Sequence, residues 1–352
     1  MSPATPVKPV VGGYAFGHPK YFPDVESIDN AYKMLKDLGC DTIDTARIYG
    51  KSEEWLGKTG AGKLFTIDTK TPGGAIPGSS NREGILQHAK ESLELLKVKS
   101  VDVFYLHAPD ASLDLEDQLQ GINEAYKAGY FKRFGLSNFL ATDVQRIYDI
   151  CKAKGYPLPT VYQGNYNPVA RKIETEIVPT LRQLNIAFYV YSPIAGGLLA
   201  KTPQQLLGGG AEAGRFAKGD ELEKLYGGLY NKPAFHEVLN LWAAAAKDAG
   251  CSPAELAYRW VTFDSVVDGN CGDAIIFGVR NHAQIAETMG WLKAGSVGEA
   301  AKAKIDEIWK VIEKDSPLDN FNSSEKPVPA EPRMNSDRMS SLTGHKLALS
   351  LR

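Results

Sequence analysis

Four residues of different chemical type, Asp44, Tyr49, Lys70 and His107, fall at or just past the ends of three successive apolar runs, "DTIDTA", "LFTIDTK" and "VDVFYLH". A lysine closing an apolar strand must find a partner, because a buried unpaired ammonium is costly. Asp44 is the nearby carboxylate, and it would keep Lys70 charged and aimed. An ammonium beside a phenol favours the phenolate, so Lys70 is expected to lower the pKa of Tyr49. Tyr49 could then hand a proton to a carbonyl oxygen as it becomes an alkoxide, with His107 orienting or polarising that oxygen. Such a set supplies no hydride, which calls for a nicotinamide cofactor. Taken singly, each residue has a plainer role: Asp44 as a cap, Tyr49 as a half-buried wall, Lys70 as a solvated charge, His107 as a core histidine.

The elements that must bring the four together are legible as a repeat. Eight short apolar, β-branched runs recur: "PVVGGYA", "DTIDTA", "LFTIDTK", "VDVFYLH", "FKRFGLSNF", "TVYQGNY", "IAFYVYSPI" and "DAIIFGV". Longer segments with helical spacing separate most of them, at 26–39, 81–97, 113–128, 142–154, 174–184, 234–249, 281–293 and 297–314. Nearly continuous apolar strands suit a parallel sheet buried on both faces. Eight strands alternating with helices predict an α/β fold, a (β/α)8 TIM barrel with long βα loops at its C-terminal face. In such a barrel, residues past the strand ends meet in one mouth. A doubly wound sheet would carry G-x-G-x-x-G after its first strand, and that pattern is absent. Residues 1–315 are assigned to the barrel. Residues 316–352, rich in Ser, Pro and charge, read as a tail of low order, part of which could pack over the barrel mouth.

One glycine-rich stretch, "LGKTGAGKLFTIDTK", imitates a phosphate-binding P-loop. The order of its elements argues otherwise. A P-loop follows a strand and opens a helix, whereas here a helical segment precedes Gly57 and a strand follows Lys63. Leu64 stands where a magnesium-ligating Ser or Thr is needed. The glycines are expected to form an αβ turn at the bottom of the barrel.

Charge and composition remove other classes. Lys plus Arg is 40 against 42 Asp plus Glu, so charge alone gives no case for nucleic-acid binding. The four cysteines, Cys40, Cys151, Cys251 and Cys271, show no CxxC pair or zinc spacing. No metal is expected: of the six histidines only His107 sits at a strand end, and His18 has no H-x-H partner. No window has the length of a membrane span, and the first residues hold no signal-like apolar core. A cytoplasmic protein with reduced thiols is expected, so the sequon at Asn322 should stand idle.

"DTIDTARIYGKSEEWLG", "TKTP", "VDVFYLHAPD", "RFGLSNF", "YQGNYNP", "YSPIAGGLL", "SPAELAYRWV" and "GDAIIFGVRNHAQIAETM" together resemble the aldo-keto reductases over about residues 8–313. The wording is most similar to the aflatoxin aldehyde reductase (succinic semialdehyde reductase) branch. The resemblance implies NADPH-dependent reduction of aldehydes or ketones, with Asp44, Tyr49, Lys70 and His107 as catalytic tetrad and Tyr49 as the acid. It also implies that Ser137, Asn138 and Gln163 hold the nicotinamide carboxamide and that Tyr191 stacks on the ring. The loop holding Ser192, Pro193, Gly196, Gly197 and Leu198 would follow the pyrophosphate, and Arg215 would sit in a loop closing over the cofactor. Gly278, Arg280, Gln284 and Glu287 would receive the adenosine 2′-phosphate and adenine. Gln284 stands where an arginine is common, so Arg280 is the candidate phosphate ligand.

Phe16, Arg47, Tyr226 and Tyr230 are expected to face a small-molecule carbonyl substrate. Arg47 is a candidate anchor for an acidic aldehyde, because the basic residues that the related branch carries around "YGGLY" are replaced here. That branch also suggests a homodimer. A second role known in the family, a regulatory or binding subunit with weak turnover, is compatible with the same tetrad.

Overall fold

The computed structural model describes residues 5–323. Eight parallel strands close into a barrel in sequence order. They are β1 (Lys8–Gly12), β2 (Thr42–Asp44), β3 (Thr66–Lys70), β4 (Val101–Leu106), β5 (Phe131–Ser137), β6 (Pro159–Asn165), β7 (Ala187–Tyr191) and β8 (Ala274–Phe277). Each expected run holds one strand. β1 pairs with β8 as well as β2, which removes both sheet edges.

Two apolar layers follow from strand alternation. One set of side chains, including Val10, Val103, Tyr105, Val161, Tyr189 and Ile276, fills the barrel interior. The other set meets the helices, whose buried stripes match the sequence periodicity. The helix Val25–Asp37 buries Ile28, Ala31, Tyr32 and Leu35, and Asp24 caps it through a reciprocal bond pattern with Ser27. Asn81 caps Arg82–Leu96 by accepting from the Gly84 N–H.

Departures from the expected helices have local causes. The stretch 174–184 is two short helices, Ile173–Glu176 and Val178–Gln183. Pro179 lacks the N–H that a continuous helix would need there. "SPAELAYRWV" is itself the helix Pro253–Phe263, capped by Ser252. The connection from β7 to β8 also folds into the helices Pro203–Gly208, Glu223–Tyr230 and Pro233–Asp248.

The P-loop imitation resolves into close packing. A Cβ on Gly57 would lie 1.8 Å from the Leu95 carbonyl oxygen, and one on Gly62 would lie 2.2 Å from Val98 Cγ1. These glycines let the helix Ser52–Lys58 and the turn after it touch the end of the helix Arg82–Leu96. The first described residues of the tail return to the barrel mouth. Asn322 Nδ2 donates to the Asn138 carbonyl at 2.9 Å, and the Asn320 N–H donates to the Tyr191 hydroxyl at 3.3 Å. The remainder of the expected tail, 324–352, lies outside the described residues. Among the described residues no helix is long and apolar enough to cross a membrane.

Candidate active site

Strand register builds the floor of the mouth. Gly12 pairs with Asp44, Asp44 with Asp68, and Lys70 with Tyr105. Asp44 and Lys70 therefore end neighbouring strands with side chains turned inward. Lys70 Nζ donates to Asp44 Oδ2 at 2.6 Å and to the Thr45 carbonyl at 2.8 Å. Both residues are buried, Lys70 completely. Burial pulls the Lys70 pKa down, but Asp44 and Tyr49 outweigh it and hold the ammonium above its ordinary value.

Tyr49 reaches the same floor from the loop after β2. Its ring centroid lies 5.2 Å from Lys70 Nζ and 5.8 Å from the His107 ring, edge to face. The expected lowering of the Tyr49 pKa does not hold. Burial raises it, Lys70 opposes, and Asp44 adds to the rise, for a net upward direction. The phenol is thus a firmly protonated acid whose proton Lys70 loosens only in part. Burial and the Lys70 charge push His107 well below the ordinary imidazole value, so the ring is neutral at neutral pH. Its Nδ1 is buried without a hydrogen-bond partner.

These residues floor a cavity of about 710 Å³. Asp44, Tyr49, His107, Ser137, Asn138, Gln163, Tyr191, Ser192, Pro193, Gly196, Gly197, Arg215, Tyr226, Gly278, Arg280, Gln284 and Glu287 all line it. Several are tied to one another. Gln163 Nε2 donates to the free oxygen of Asp44 at 2.9 Å. The Tyr191 hydroxyl donates to Asn138 Oδ1 at 2.7 Å, and Asn138 Nδ2 donates to the His107 carbonyl at 3.0 Å. Asn138 can hold this pose because its backbone is left-handed, φ 63°.

Five expected positions do not line the cavity; one of them, Lys70, lies beneath its floor under Asp44 and Tyr49. Phe16 is 1% exposed and packs on Phe22 and Tyr32. The 3-10 turn Gly13–Gly17 puts Tyr14 in the cavity wall instead and turns Phe16 into the core. Tyr230 is fully buried, its hydroxyl shared with Asn165 and Asn167. Leu198 packs into the core, while its neighbours Ile194 and Lys201 reach the cavity. Arg47 points into a shallow groove beside the mouth, and its two terminal nitrogens are held by Glu53 at 2.8 Å and Glu91 at 2.6 Å. A carboxylate anchor needs a free guanidinium fork, so Arg47 does not supply one.

One side of the cavity is cationic. Lys201, Arg215 and Arg280 line it, and none makes an ion pair among the described residues. Burial and then the charge of Arg280 lower the Lys201 pKa, with Glu212 opposing. Beside them Gly196 and Gly197 have φ 68° and 107°, and a Cβ on Gly197 would stand in open cavity space. Backbone that bare can approach a phosphate closely. The Gln284 side chain is committed to its own turn, accepting from the Arg280 N–H at 2.9 Å. Among the described residues Arg280 and Lys201 make no ion pair, and Arg280 lies over the Tyr21 ring at 5.5 Å. The residues fit a nicotinamide dinucleotide: cations on one side, and the Asn138, Gln163 and Tyr191 group beside Asp44, Tyr49, Lys70 and His107.

Sequence reasoning missed Lys201, Tyr14, Glu221 and the tail residues Asn320 and Phe321, all in the cavity wall. Lys201 lies directly after "AGGLLA" and could have been flagged as a cation near a phosphate loop. Glu221 bonds the Tyr14 hydroxyl at 2.7 Å across 207 residues, a pairing with no local signal.

Residues 10–310 match the Aldo/keto reductase family. The chain is 38% identical over 286 residues to the oxidoreductase sirO of Leptosphaeria maculans, covering 81% of this chain and 86% of that one. It is 33% identical over 296 residues to aflatoxin B1 aldehyde reductase member 2 of Rattus norvegicus, covering 81% and 80%. It is also 33% identical over 323 residues to the human aldo-keto reductase family 7 member A3, covering 88% and 95%. On its barrel, its cavity and this match, the chain belongs to the aldo/keto reductase family, an oxidoreductase family of carbonyl reduction.

Proposed function

We propose that the protein reduces an aldehyde or ketone to the alcohol with NADPH, and that Tyr49 gives the proton. The observation that carries this reading is the buried Asp44–Lys70 pair, 2.6 Å long, beneath a half-buried tyrosine and a neutral histidine. When bound, the cofactor supplies the hydride. The chain supplies the rest. Lys70, held charged by Asp44, sits beneath the Tyr49 ring and weakens its hold on the proton as the substrate oxygen gains charge. His107, neutral, can donate to the same oxygen without protonating it. Gln163 and Thr45 brace the Asp44–Lys70 pair, so little reorganisation accompanies proton transfer. Arg280, Lys201 and Arg215 would hold the cofactor phosphates, and the added charge of a 2′-phosphate suits an unpaired Arg–Lys set.

NADPH oxidation followed by absorbance against a panel of aldehydes and ketones, including succinic semialdehyde, tests the reading. Turnover on at least part of the panel is expected. NADPH binding without turnover on any carbonyl would favour a binding subunit instead.

A further inference from the structure

Beneath the tetrad lies a carboxyl group that the reaction above does not use. Asp68 is fully buried on β3, facing the same way as Lys70 two residues on. Its register partner on β2 is Asp44, so two carboxyl groups stand side by side on adjacent strands. One oxygen, Oδ1, accepts from the Val103 N–H at 3.0 Å, and Oδ2 has no hydrogen-bond partner. The Tyr105 hydroxyl, across from Lys70 in the register, is also buried and unpartnered. Two of the cations near it are committed elsewhere: Lys70 bonds Asp44, and Arg133 bonds Asp102 at 2.7 Å; Lys8 acts on it only at longer range.

We propose that Asp68 is a positioning residue whose protonated, neutral form leaves Lys70 to serve Asp44 and Tyr49 alone. Resting on the reductase reading, this gives the reaction an alkaline limit. Ionised Asp68 would place a second negative charge under Lys70, tighten the Tyr49 O–H and make Tyr49 a weaker acid. Burial, then the charges of Asp44 and Asp102, raise the Asp68 pKa to about 7, against the pull of the Val103 N–H and Lys8. The other groups that feel its charge are Lys70 on its own strand, Tyr105 on β4 and Tyr189 on β7. Arg133 on β5 faces Tyr105 and Tyr189, and so acts on the same interior.

The test compares wild type with Asp68→Asn, a neutral isostere, and with Asp68→Ala. Infrared difference spectra across a pH titration read the carboxyl directly and need no turnover. Wild type should show a protonated-carboxyl band that disappears as pH rises through neutrality, and both variants should lack it. Ultraviolet titration, with Tyr49→Phe to assign the signal, should place Tyr49 ionisation lower in Asp68→Asn than in wild type. In the reductase assay, wild-type kcat/KM should fall about fivefold to tenfold between about pH 6 and pH 9, and that of Asp68→Asn by less than about twofold. A wild type without the band near pH 6, or parallel pH profiles in wild type and Asp68→Asn, would overturn the proposal. Absent turnover in every protein would remove the reductase reading. The infrared and ultraviolet results would then still decide the state of Asp68 and its reach to Tyr49.

Discussion

Lys70 and Asp44 form a 2.6 Å ion pair that solvent does not reach, and Lys70 Nζ lies 5.2 Å from the Tyr49 ring centroid. Removing one partner leaves the other charge buried and uncompensated. Lys70→Met should therefore destabilise the fold by about 3–5 kcal/mol. Asp44→Asn should cost a similar amount, and combining the two should cost less than the sum of the singles. Denaturant unfolding of the three variants measures this. The folded Lys70 pKa lies above its unfolded value, so the stability from the pair is fully present below the ordinary lysine range. It is lost only as pH climbs through the raised value.

Asp68 has the same sign as Lys70 but acts at lower pH, and its charged form is the one that costs stability. Its folded pKa, about 7, lies above the ordinary carboxylate value, so the folded state binds more protons between those limits. Stability from this group falls as pH rises toward 7, and above 7 a buried carboxylate costs on the order of 2–4 kcal/mol. Asp68→Asn should be more stable than wild type at pH 8, with the gap closing near pH 4. Melting temperatures at both pH values test the sign.

The cation group predicts cofactor preference. Arg280→Ala and Lys201→Ala should each weaken NADPH binding by about tenfold, roughly the worth of one charge-assisted contact, and weaken NADH much less. Fluorescence titration with both cofactors separates the two. Equal losses would mean that neither side chain meets the 2′-phosphate.

Arg47 serves the fold. Its guanidinium joins Glu53, which is nearly buried and also accepts from Thr69 at 2.6 Å, to Glu91. Arg47→Ala should cost about 2–3 kcal/mol by stranding the Glu53 carboxylate. The KM for succinic semialdehyde should remain unchanged.

The barrel, and the meeting of Asp44, Tyr49, Lys70 and His107, were legible because their signals are local. Strand ends are marked by where apolar runs stop, and Asp44, Lys70 and His107 mark three such ends. What escaped depends on where turns aim side chains. "GYAFG" holds two aromatics two residues apart, and only the 3-10 turn decides that Tyr14 meets the cavity while Phe16 enters the core. "YGGLY" likewise sends Tyr226 to the cavity and Tyr230 into a buried cluster with Asn165. Arg47 stands next to the right loop, but Glu91 claims it from 44 residues away. The long connection between β7 and β8, with its Glu221–Tyr14 contact, has no periodicity that could announce such a partner. Asp68 shows the reverse difficulty: plainly visible in "TIDTK", it reads as a polar residue in an apolar strand until the register sets it beside Asp44.

The most direct test of the central claim is NADPH oxidation by wild type and Tyr49→Phe, side by side, on a carbonyl that wild type reduces. The substitution removes one hydroxyl and leaves the ring between Lys70 and His107. The account predicts a loss of about 100-fold to 10,000-fold in kcat, with NADPH affinity unchanged within about twofold. A Tyr49→Phe protein that keeps wild-type kcat would contradict it and place the proton donor elsewhere.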